Sequence, residues 1–202
     1  MSVSFGPGPT RDVQPGDTPD LNDGLLSRTV HAGAGAVVTR TRGVAYVINA
    51  GNGRVVAANN NNVQLGWAPF VAVETVTADA SNSAVPVEEP ISGVVAPQRV
   101  ALTFEADSTN SRLELHPGDY VTAGAGNTAT ITPGNMRLWA LGDASPKYAR
   151  YLGKEAALLD INTLTPFDET LTPGVVPDQG ITGLTDGETA VSWFQLVENF
   201  LL

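Results

Sequence analysis

Residues 43–57 read GVAYVINAGNGRVVA, and this stretch decides the fold class. Two runs rich in β-branched and aromatic residues, the composition typical of strands, flank a turn in which Gly51 and Gly53 can adopt positive φ. A turn this short joins neighbouring antiparallel strands. The stretch therefore predicts a β-hairpin.

The same pattern recurs on both sides of this hairpin. Short runs of Val, Ala, Thr and aromatic residues are interrupted by Gly, Asn or Pro about every 8–12 residues, which is typical of an all-β sandwich or barrel. A second turn, HPGD at residues 116–119, has Pro and Gly where a type II turn requires them. We predict an all-β fold, an antiparallel β-barrel or sandwich. The predicted strands cover residues 36–41, 44–49, 54–58, 63–67, 71–77, 99–105, 119–123, 129–132 and 137–141.

Two stretches allow at most one or two short helices. Residues 147–160 carry large apolar side chains with partial helical spacing and predict a helix, although Gly153 in their middle costs about 1 kcal/mol relative to Ala. Residues 188–202 are too densely apolar to show a clear period. For them a buried closing strand and a buried helix are both open.

Composition divides the chain into four parts. Residues 1–24 contain four prolines and four aspartates without a hydrophobic period, and they predict a flexible N-terminal arm that is disordered or ordered only on a neighbouring molecule. Residues 25–105 form a first β module and residues 106–160 a second one. Residues 161–202 form an acidic C-terminal extension that packs on these modules.

A faint internal echo connects the two modules. Residues 43–47 and 63–68 resemble residues 118–121 and 137–142, because each set places a Gly-led strand before a Gly-rich turn and a second Trp-containing strand. Chance similarity in a chain rich in Gly, Ala and Val is one explanation. Duplication is the other, and it would give two small barrel-like modules.

The residue inventory argues against an enzyme. The chain has no cysteine, which excludes thiolate metal sites, iron–sulfur clusters and thiol nucleophiles. Its two histidines, His31 and His116, lack the spacing of a metal-binding motif. The acids between residues 12 and 24 miss the spacing of a calcium loop, and Glu88 and Glu89 are interpreted as part of a hydrated loop. We expect no catalytic residue, metal or cofactor; an enzyme would need carboxylates or histidines that converge in a pocket.

The overall charge bears on the possible partners. The formal net charge is -10, so nucleic acid or an anionic lipid surface would have to overcome the field of the whole protein. No apolar run approaches the length of about 18 residues that predicts a membrane span. We expect neither nucleic acid nor a membrane as a partner.

Charge is also segregated along the chain. Residues 24–73 contain four arginines and no acid, whereas residues 155–202 contain eight acids and no Lys, Arg or His. Ion pairing within the chain is one explanation. The other is docking between subunits, in which complementary patches fix register and in which Arg and aromatic residues serve as anchors. The interface candidates are Arg40, Arg42, Arg54, Trp67, Trp139, Tyr148 and Trp193.

Three segments resemble the head-decoration, or capsid-cement, proteins of tailed viruses. In that family a glycine-bounded strand pair is followed by an "LG.A" strand and a closing "G.V" segment. Residues 36–95 resemble this pattern, and residues 118–159 resemble it more weakly. The matching segments are Gly43-Val44-Ala45-Tyr46, Leu65-Gly66-Trp67-Ala68-Pro69 and Ile91-Ser92-Gly93-Val94-Val95.

The resemblance implies a virion structural protein without enzymatic activity. It implies a subunit made in the host cytoplasm that binds the major capsid protein on the exterior of an icosahedral shell and stabilises the shell, often as a homotrimer. In such an assembly Arg40, Arg42 and Arg54 would face carboxylates of a neighbouring chain. The alternative is a receptor-binding or carbohydrate-binding β module of a viral spike or fibre, which exposed Trp and Tyr on one face would favour.

Overall fold

The computed structural model describes residues 13–19, 25–58, 67–107, 113–123, 131–140, 146–153 and 180–197. These residues form twelve β-strands and no helix, which confirms the all-β prediction. The strands are β1 (Leu25–Ala32), β2 (Val37–Arg40), β3 (Ala45–Ile48), β4 (Val55–Ala57), β5 (Ala68–Ala72), β6 (Val76–Asp79), β7 (Val87–Val95), β8 (Arg99–Glu105), β9 (Tyr120–Ala123), β10 (Met136–Leu138), β11 (Ala149–Gly153) and β12 (Thr189–Leu196).

Most of the predicted strands correspond to observed ones, and the exceptions have local causes. The run 71–77 contains the end of β5 and the start of β6, because the chain bends at Val73 and Glu74. Ile131 and Thr132 lie outside any strand. Of the predicted strand 63–67, residues 63–66 lie outside the described residues.

The interpretation of Glu88 and Glu89 as a hydrated loop is wrong, because both lie in β7. They occupy exposed positions opposite His31 and Val30 of β1. The N–H of Ser92 bonds Glu74 and its carbonyl bonds Val73, so neither backbone group faces β1. Pro90 lies two residues earlier in the strand, and its backbone has the same orientation. Pro90 therefore occupies a position at which no N–H is needed by β1.

The helix predicted for residues 147–160 is wrong where the chain is described, because β11 is a strand. Ala149, Tyr151 and Gly153 are buried while Arg150 is exposed, which is the period of two of a strand. Residues 154–160 lie outside the described residues. The open question at residues 188–202 is settled for β12, which is a strand; residues 198–202 are not described.

The strands form two larger sheets and one small one. The first, which we call the N-terminal sheet, has the order β1-β7-β5-β3-β4. The second, the C-terminal barrel, is closed in the order β10-β8-β12-β11-β9. Strands β2 and β6 form a separate two-stranded sheet. The described structure therefore contains one barrel and one sheet that is nearly a barrel.

The N-terminal sheet and the C-terminal barrel share one topology. Replacing β1, β7, β5, β3 and β4 by β8, β12, β11, β9 and β10 converts the strand order of the sheet into that of the barrel. The successive neighbours in both orders are antiparallel. The closing contact is parallel in both, as the single bridge Thr29–Arg54 in the sheet and as the Met136–Phe104 pair in the barrel.

The equivalence extends to the turns that enter β3 and β9. Gly43 and Gly118 adopt positive φ values of 73° and 99°, which favour glycine. The N–H of Gly43 donates to the carbonyl of Ala72 at 2.8 Å, and that of Gly118 donates to the carbonyl of Tyr151 at 2.9 Å. The turn at residues 116–119 is present, but it connects a bridge residue, Leu115, to β9 and does not close a hairpin.

The sequence echo was therefore half correct in its alignment. Residues 43–47 and 118–121 do lead into equivalent strands, β3 and β9. Ala68 begins β5, whereas residues 137–138 lie in β10, which is the counterpart of β4. Spacing alone misaligned this second half because the loops between equivalent strands differ in length.

The strands of the barrel come from three of the four parts into which composition divided the chain. Strand β8 falls in 25–105 and β12 falls in 161–202, yet both are barrel strands, and β12 lies between β8 and β11. The physical reason is closure: a five-stranded barrel needs five strands, and the described part of residues 106–160 supplies only β9, β10 and β11.

Residues 13–19 of the expected arm are docked on their own chain. The N–H of Gly16 donates to the carbonyl of Ala101, and the N–H of Ala101 donates to the carbonyl of Asp17, both at 2.9 Å. Val13 packs against the buried Trp193. The expectation of an arm ordered only on a neighbour is wrong for these residues, because β8 offers them an edge that β10 contacts only at Phe104.

The two larger units share a hydrophobic core through one face of the N-terminal sheet. Ala45, Val47 and Val71 belong to the same buried cluster as the barrel residues Phe104 and Phe194. The opposite face of the sheet packs into its own cluster, which contains Tyr46, Phe70 and Ile91 among others. The sheet thus has apolar contacts on both faces.

Tyr148 fastens this junction with a buried hydroxyl. It precedes β11, is 1% exposed, and places its oxygen 2.5 Å from the carbonyl oxygen of Tyr46 and 2.9 Å from that of Phe70. The same hydroxyl accepts the N–H of Phe70 at 3.2 Å. Burial raises the pKa of Tyr148, so the hydroxyl stays protonated and can donate.

Replacing Tyr148 by Phe should lower the free energy of unfolding by about 1–3 kcal/mol, because the buried Phe70 N–H loses its acceptor. Urea denaturation measures this change. The matched control is Tyr120→Phe on the barrel surface, which should change stability by less than about 0.5 kcal/mol. Equal losses in the two variants would contradict the special role of the Tyr148 hydroxyl.

Replacing Gly43 by Ala should release residues 13–19, because a Cβ atom there would lie 2.3 Å from the Pro15 side chain. Gly53→Ala is the matched control, since Gly53 also has positive φ and a Cβ atom at that position would meet nothing within 4 Å. We expect cleavage before Asp17 by an aspartate-directed protease to accelerate about tenfold in Gly43→Ala, the factor that about 1.4 kcal/mol of lost docking gives. Equal rates in both variants would show that Gly43 does not hold the segment.

Candidate interaction surfaces

Two of the three candidate interface arginines form ion pairs within the chain. An Nη atom of Arg42 lies 2.5 Å from a carboxylate oxygen of Asp17, and one of Arg54 lies 2.8 Å from a carboxylate oxygen of Glu88. The arginine-rich stretch thus obtains its acids from the residues before and after it. Pairing within the chain accounts for this part of the segregated charge, and a neighbour's carboxylate would have to compete for these arginines.

Arg40 is held by neutral groups. Its Nε donates to the carbonyl of Val55 at 3.1 Å and one Nη donates to that of Thr39 at 3.2 Å, while the guanidinium lies 5.3 Å from the centre of the Tyr46 ring. Burial lowers the pKa of Arg40. A substitution at Arg40 would therefore disturb the packing of β2 on β3 and β4 in addition to any contact with a partner.

The candidate aromatic residues have different environments. Tyr148 is buried at the junction between the sheet and the barrel, and Trp193 is 6% exposed beneath Val13. Trp67 is half-buried against the main core. Trp139 is also half-buried. Tyr148 and Trp193 thus contribute to the interior of the subunit, and Trp139 is the candidate with an accessible ring in a distinctive setting.

Trp139 belongs to a surface cluster that the sequence analysis did not detect. The Nζ of Lys147 lies 4.6 Å from the centre of the Trp139 ring and 4.3 Å from the centre of the Tyr120 ring. We call these three residues the Lys147 cluster. Tyr120 and Trp139 are far apart in the chain, and they meet because Tyr120 starts β9 while Trp139 follows its partner β10. No spacing rule in the sequence signals this proximity.

A second cluster lies at the closing edge of the N-terminal sheet. One carboxylate oxygen of Glu88 on β7 lies 3.1 Å from Nδ1 of His31 on β1 and 2.8 Å from an Nη of Arg54 beside β4. The hydrogen bond from Arg54, and next the one from His31, lowers the pKa of Glu88. These side chains connect the edge strand β1 and the residue before the edge strand β4 to β7. Here the backbone supplies the single bridge Thr29–Arg54.

The other histidine has a local role. The backbone N–H of His116 donates to Asp119 at 2.7 Å, which caps the turn, and its ring Nε2 lies 3.3 Å from a carboxylate oxygen of Glu114. Within the described ranges no three or more His, Asp or Glu side chains are grouped so that they could hold a metal ion. No helix of the described residues has the length and apolarity needed to cross a membrane.

Comparison with protein-family models, with curated proteins and with solved structures finds no match to this chain. Its function is therefore argued from its own residues.

Replacing Arg54 by Gln should raise the pKa of Glu88 toward the ordinary value of 4.5. In the native protein the depressed pKa gives stability that is present above the unfolded pKa and is lost as the pH falls through the folded pKa, and the variant should lose part of this acid dependence. A carbon-13 titration of the carboxyl groups measures the pKa of Glu88 in the native protein and in the variant. Asp79, whose pKa is lowered by hydrogen bonds from Ser81, is the internal control and should not change.

Proposed function

We propose that this chain is a non-enzymatic structural subunit of a tailed virus, which binds the major capsid protein on the outside of the shell and stabilises it as a homo-oligomer. The observation that carries the proposal is the placement of the segments that resemble decoration proteins. Residues 43–46 lead into β3, residues 68–69 begin β5, and residues 91–95 end β7. Strands β3, β5 and β7 are adjacent in the N-terminal sheet, so the described parts of the three segments are neighbours in one sheet.

The use of buried polar groups supports a role that depends on a fixed shape. The carboxylate of Glu105 accepts the N–H of Thr132 at 3.1 Å and the side-chain amide of Asn135 at 2.7 Å. The hydroxyl of Ser192 donates to the carbonyl of Gly153 at 2.8 Å. These side chains hold loops and strand ends of the barrel in place, and such satisfied bonds favour a single rigid conformation.

The small β2–β6 sheet offers a surface for the shell contact. Val37 on β2 is 54% exposed, and Val85, in the turn after β6, is 65% exposed. The N–H of Gly35 donates to the carbonyl of Ser83 at 3.2 Å, which brings the two ends of this region together. Exposed apolar side chains are suited to fill pockets of a partner. We assign the shell contact to Val37 and Val85.

The test uses particles of the tailed virus that encodes the chain, prepared without the protein, and measures occupancy after purified protein is added. We expect saturable binding, which the double variant Val37→Asp with Val85→Asp reduces by about tenfold or more, because each buried valine contributes about 1.5–3 kcal/mol. Val191→Asp is the matched control: Val191 is 37% exposed on β12 and should not affect occupancy.

Two results would contradict the proposal. One is a lack of binding by protein that remains folded, and the other is a mass of 21.0 kDa, that of a single chain, for the free protein in sedimentation together with isolated single copies on the particle in electron micrographs. A homotrimer should sediment at about three times that mass. If the valine variant binds normally, the shell contact lies elsewhere on the subunit.

The Lys147 cluster supports a second candidate function, glycan binding by a spike or fibre module. Two half-exposed aromatic rings beside a lysine are a surface on which a sugar ring can stack. Binding of the protein to an immobilised glycan panel, lost in Trp139→Ala and retained in Val191→Asp, would support this function in place of shell binding. A panel without binding would remove it.

A further inference from the structure

The C-terminal barrel shows how this fold takes up an extended peptide. In β8, Ala101 lies opposite Trp193 of β12, but its N–H and carbonyl bond Asp17 and Gly16 of the docked segment. In an antiparallel pair, every second residue directs both backbone groups away from its partner strand. Ala101 is such a residue, and residues 16–17 pair with it where the barrel contact of β10 is limited to Phe104.

The N-terminal sheet has an equivalent position at Ser27. Strand β1 is the counterpart of β8, and Ser27 lies opposite Ser92 of β7. The N–H of Ser92 donates to Glu74 at 2.6 Å, and its carbonyl accepts the N–H of Val73 at 3.1 Å, so its backbone groups point away from β1. Its partner Ser27 must then direct its own backbone groups away from β7 as well.

The edge of β1 at Ser27 is open among the described residues. Strand β4 reaches β1 only through the bridge between Arg54 and Thr29. The carbonyl of Ser27 accepts an Nη of Arg28 at 3.0 Å, and within the described part of the chain its N–H has no hydrogen-bond partner. The side chain of Arg28 covers this exposed carbonyl and hinders pairing with another strand, as charged side chains on edge strands often do. A bound peptide would have to displace it.

A shallow groove of about 250 Å³ lies beside this edge and is lined by residues of β1 and β7: Ser27, Arg28, Thr29, Glu88, Glu89 and Pro90. Within it, Glu88 already pairs with Arg54 and His31. The positive group beside Ser27 is therefore Arg28. In the docked segment of the same chain, Asp17 pairs with Arg42 next to its backbone bonds, which shows the side-chain chemistry that accompanies this mode of docking.

We propose that the edge of β1 at Ser27 binds an extended peptide segment of a partner protein by strand addition, with an acidic side chain of the peptide placed on Arg28. The site is the counterpart of the edge of β8 that residues 13–19 occupy. Main-chain hydrogen bonds to Ser27 supply the register, and the acid displaces Arg28 from the Ser27 carbonyl. This inference concerns a different surface from the Val37 and Val85 contact and does not depend on the proposed function.

The probe is a synthetic peptide with the sequence of residues 11–20, RDVQPGDTPD, added to nitrogen-15-labelled full-length protein. We expect its binding to shift the amide signals of residues 25–29. Ser27→Pro removes the outward N–H without breaking a bond to β7, and it should weaken binding at least tenfold. Ser27→Ala keeps the N–H and should bind like the unaltered protein. Unchanged signals outside β1 and β7 show that each variant is folded.

Three results would overturn the proposal or part of it. A peptide that does not bind overturns it. A peptide that binds Ser27→Pro as well as Ser27→Ala overturns it too, because the peptide then exchanges with the chain's own segment at Ala101. A peptide in which the acid at position 17 is replaced by Asn should bind several-fold more weakly, and equal affinity would remove the acidic side chain from the recognition.

Discussion

The arrangement of sheet and barrel depends on the buried hydroxyl of Tyr148. Because it has no access to water, this hydroxyl must form its hydrogen bonds with backbone groups of the N-terminal sheet. Tyr148 belongs to the C-terminal barrel, and its partners are the backbone groups of Tyr46 and Phe70 on β3 and β5 of the N-terminal sheet. An unpaired buried hydroxyl or N–H costs about 1–3 kcal/mol, roughly twice what a satisfied hydrogen bond contributes. The position of the barrel on the sheet is therefore fixed by polar groups as well as by apolar contact.

The two units share one topology, but they are closed in different ways. In the barrel, β10 pairs with β8 and residues 16–17 extend that side, so the ring of strands is closed. In the sheet, closure consists of the bridge Thr29–Arg54 together with the side chains of His31, Arg54 and Glu88. The sheet is instead stabilised by apolar contacts on both faces, one of them with the barrel. The part of its closing edge that is open among the described residues is where we propose that a partner peptide binds.

The sequence predicted most of the observed strands, but β1 (Leu25–Ala32) and β7 (Val87–Val95) were not among the predicted ones. Strand β8 was predicted to the residue, because Arg99–Glu105 is a mostly apolar run between charged ends. Strand β7 was missed because Pro90 and the two glutamates before it are residues typical of loops. A strand nevertheless tolerates a proline at a position where no N–H is needed by the neighbouring strand. The Lys147 cluster and the Glu88 cluster could not be predicted, because their members lie in or next to strands whose adjacency is set by the sheet order and not by sequence spacing.

The central claim is that sheet and barrel form one cooperative unit through their common core and Tyr148. Native-state hydrogen exchange in increasing denaturant measures it most directly, because it assigns a free energy of opening to each amide. The account predicts that buried amides of β3 and β5 in the sheet and of β9 and β11 in the barrel open with one common free energy, equal to that of global unfolding. Sheet amides that exchange through a separate opening of lower free energy, while the barrel stays protected, would contradict it.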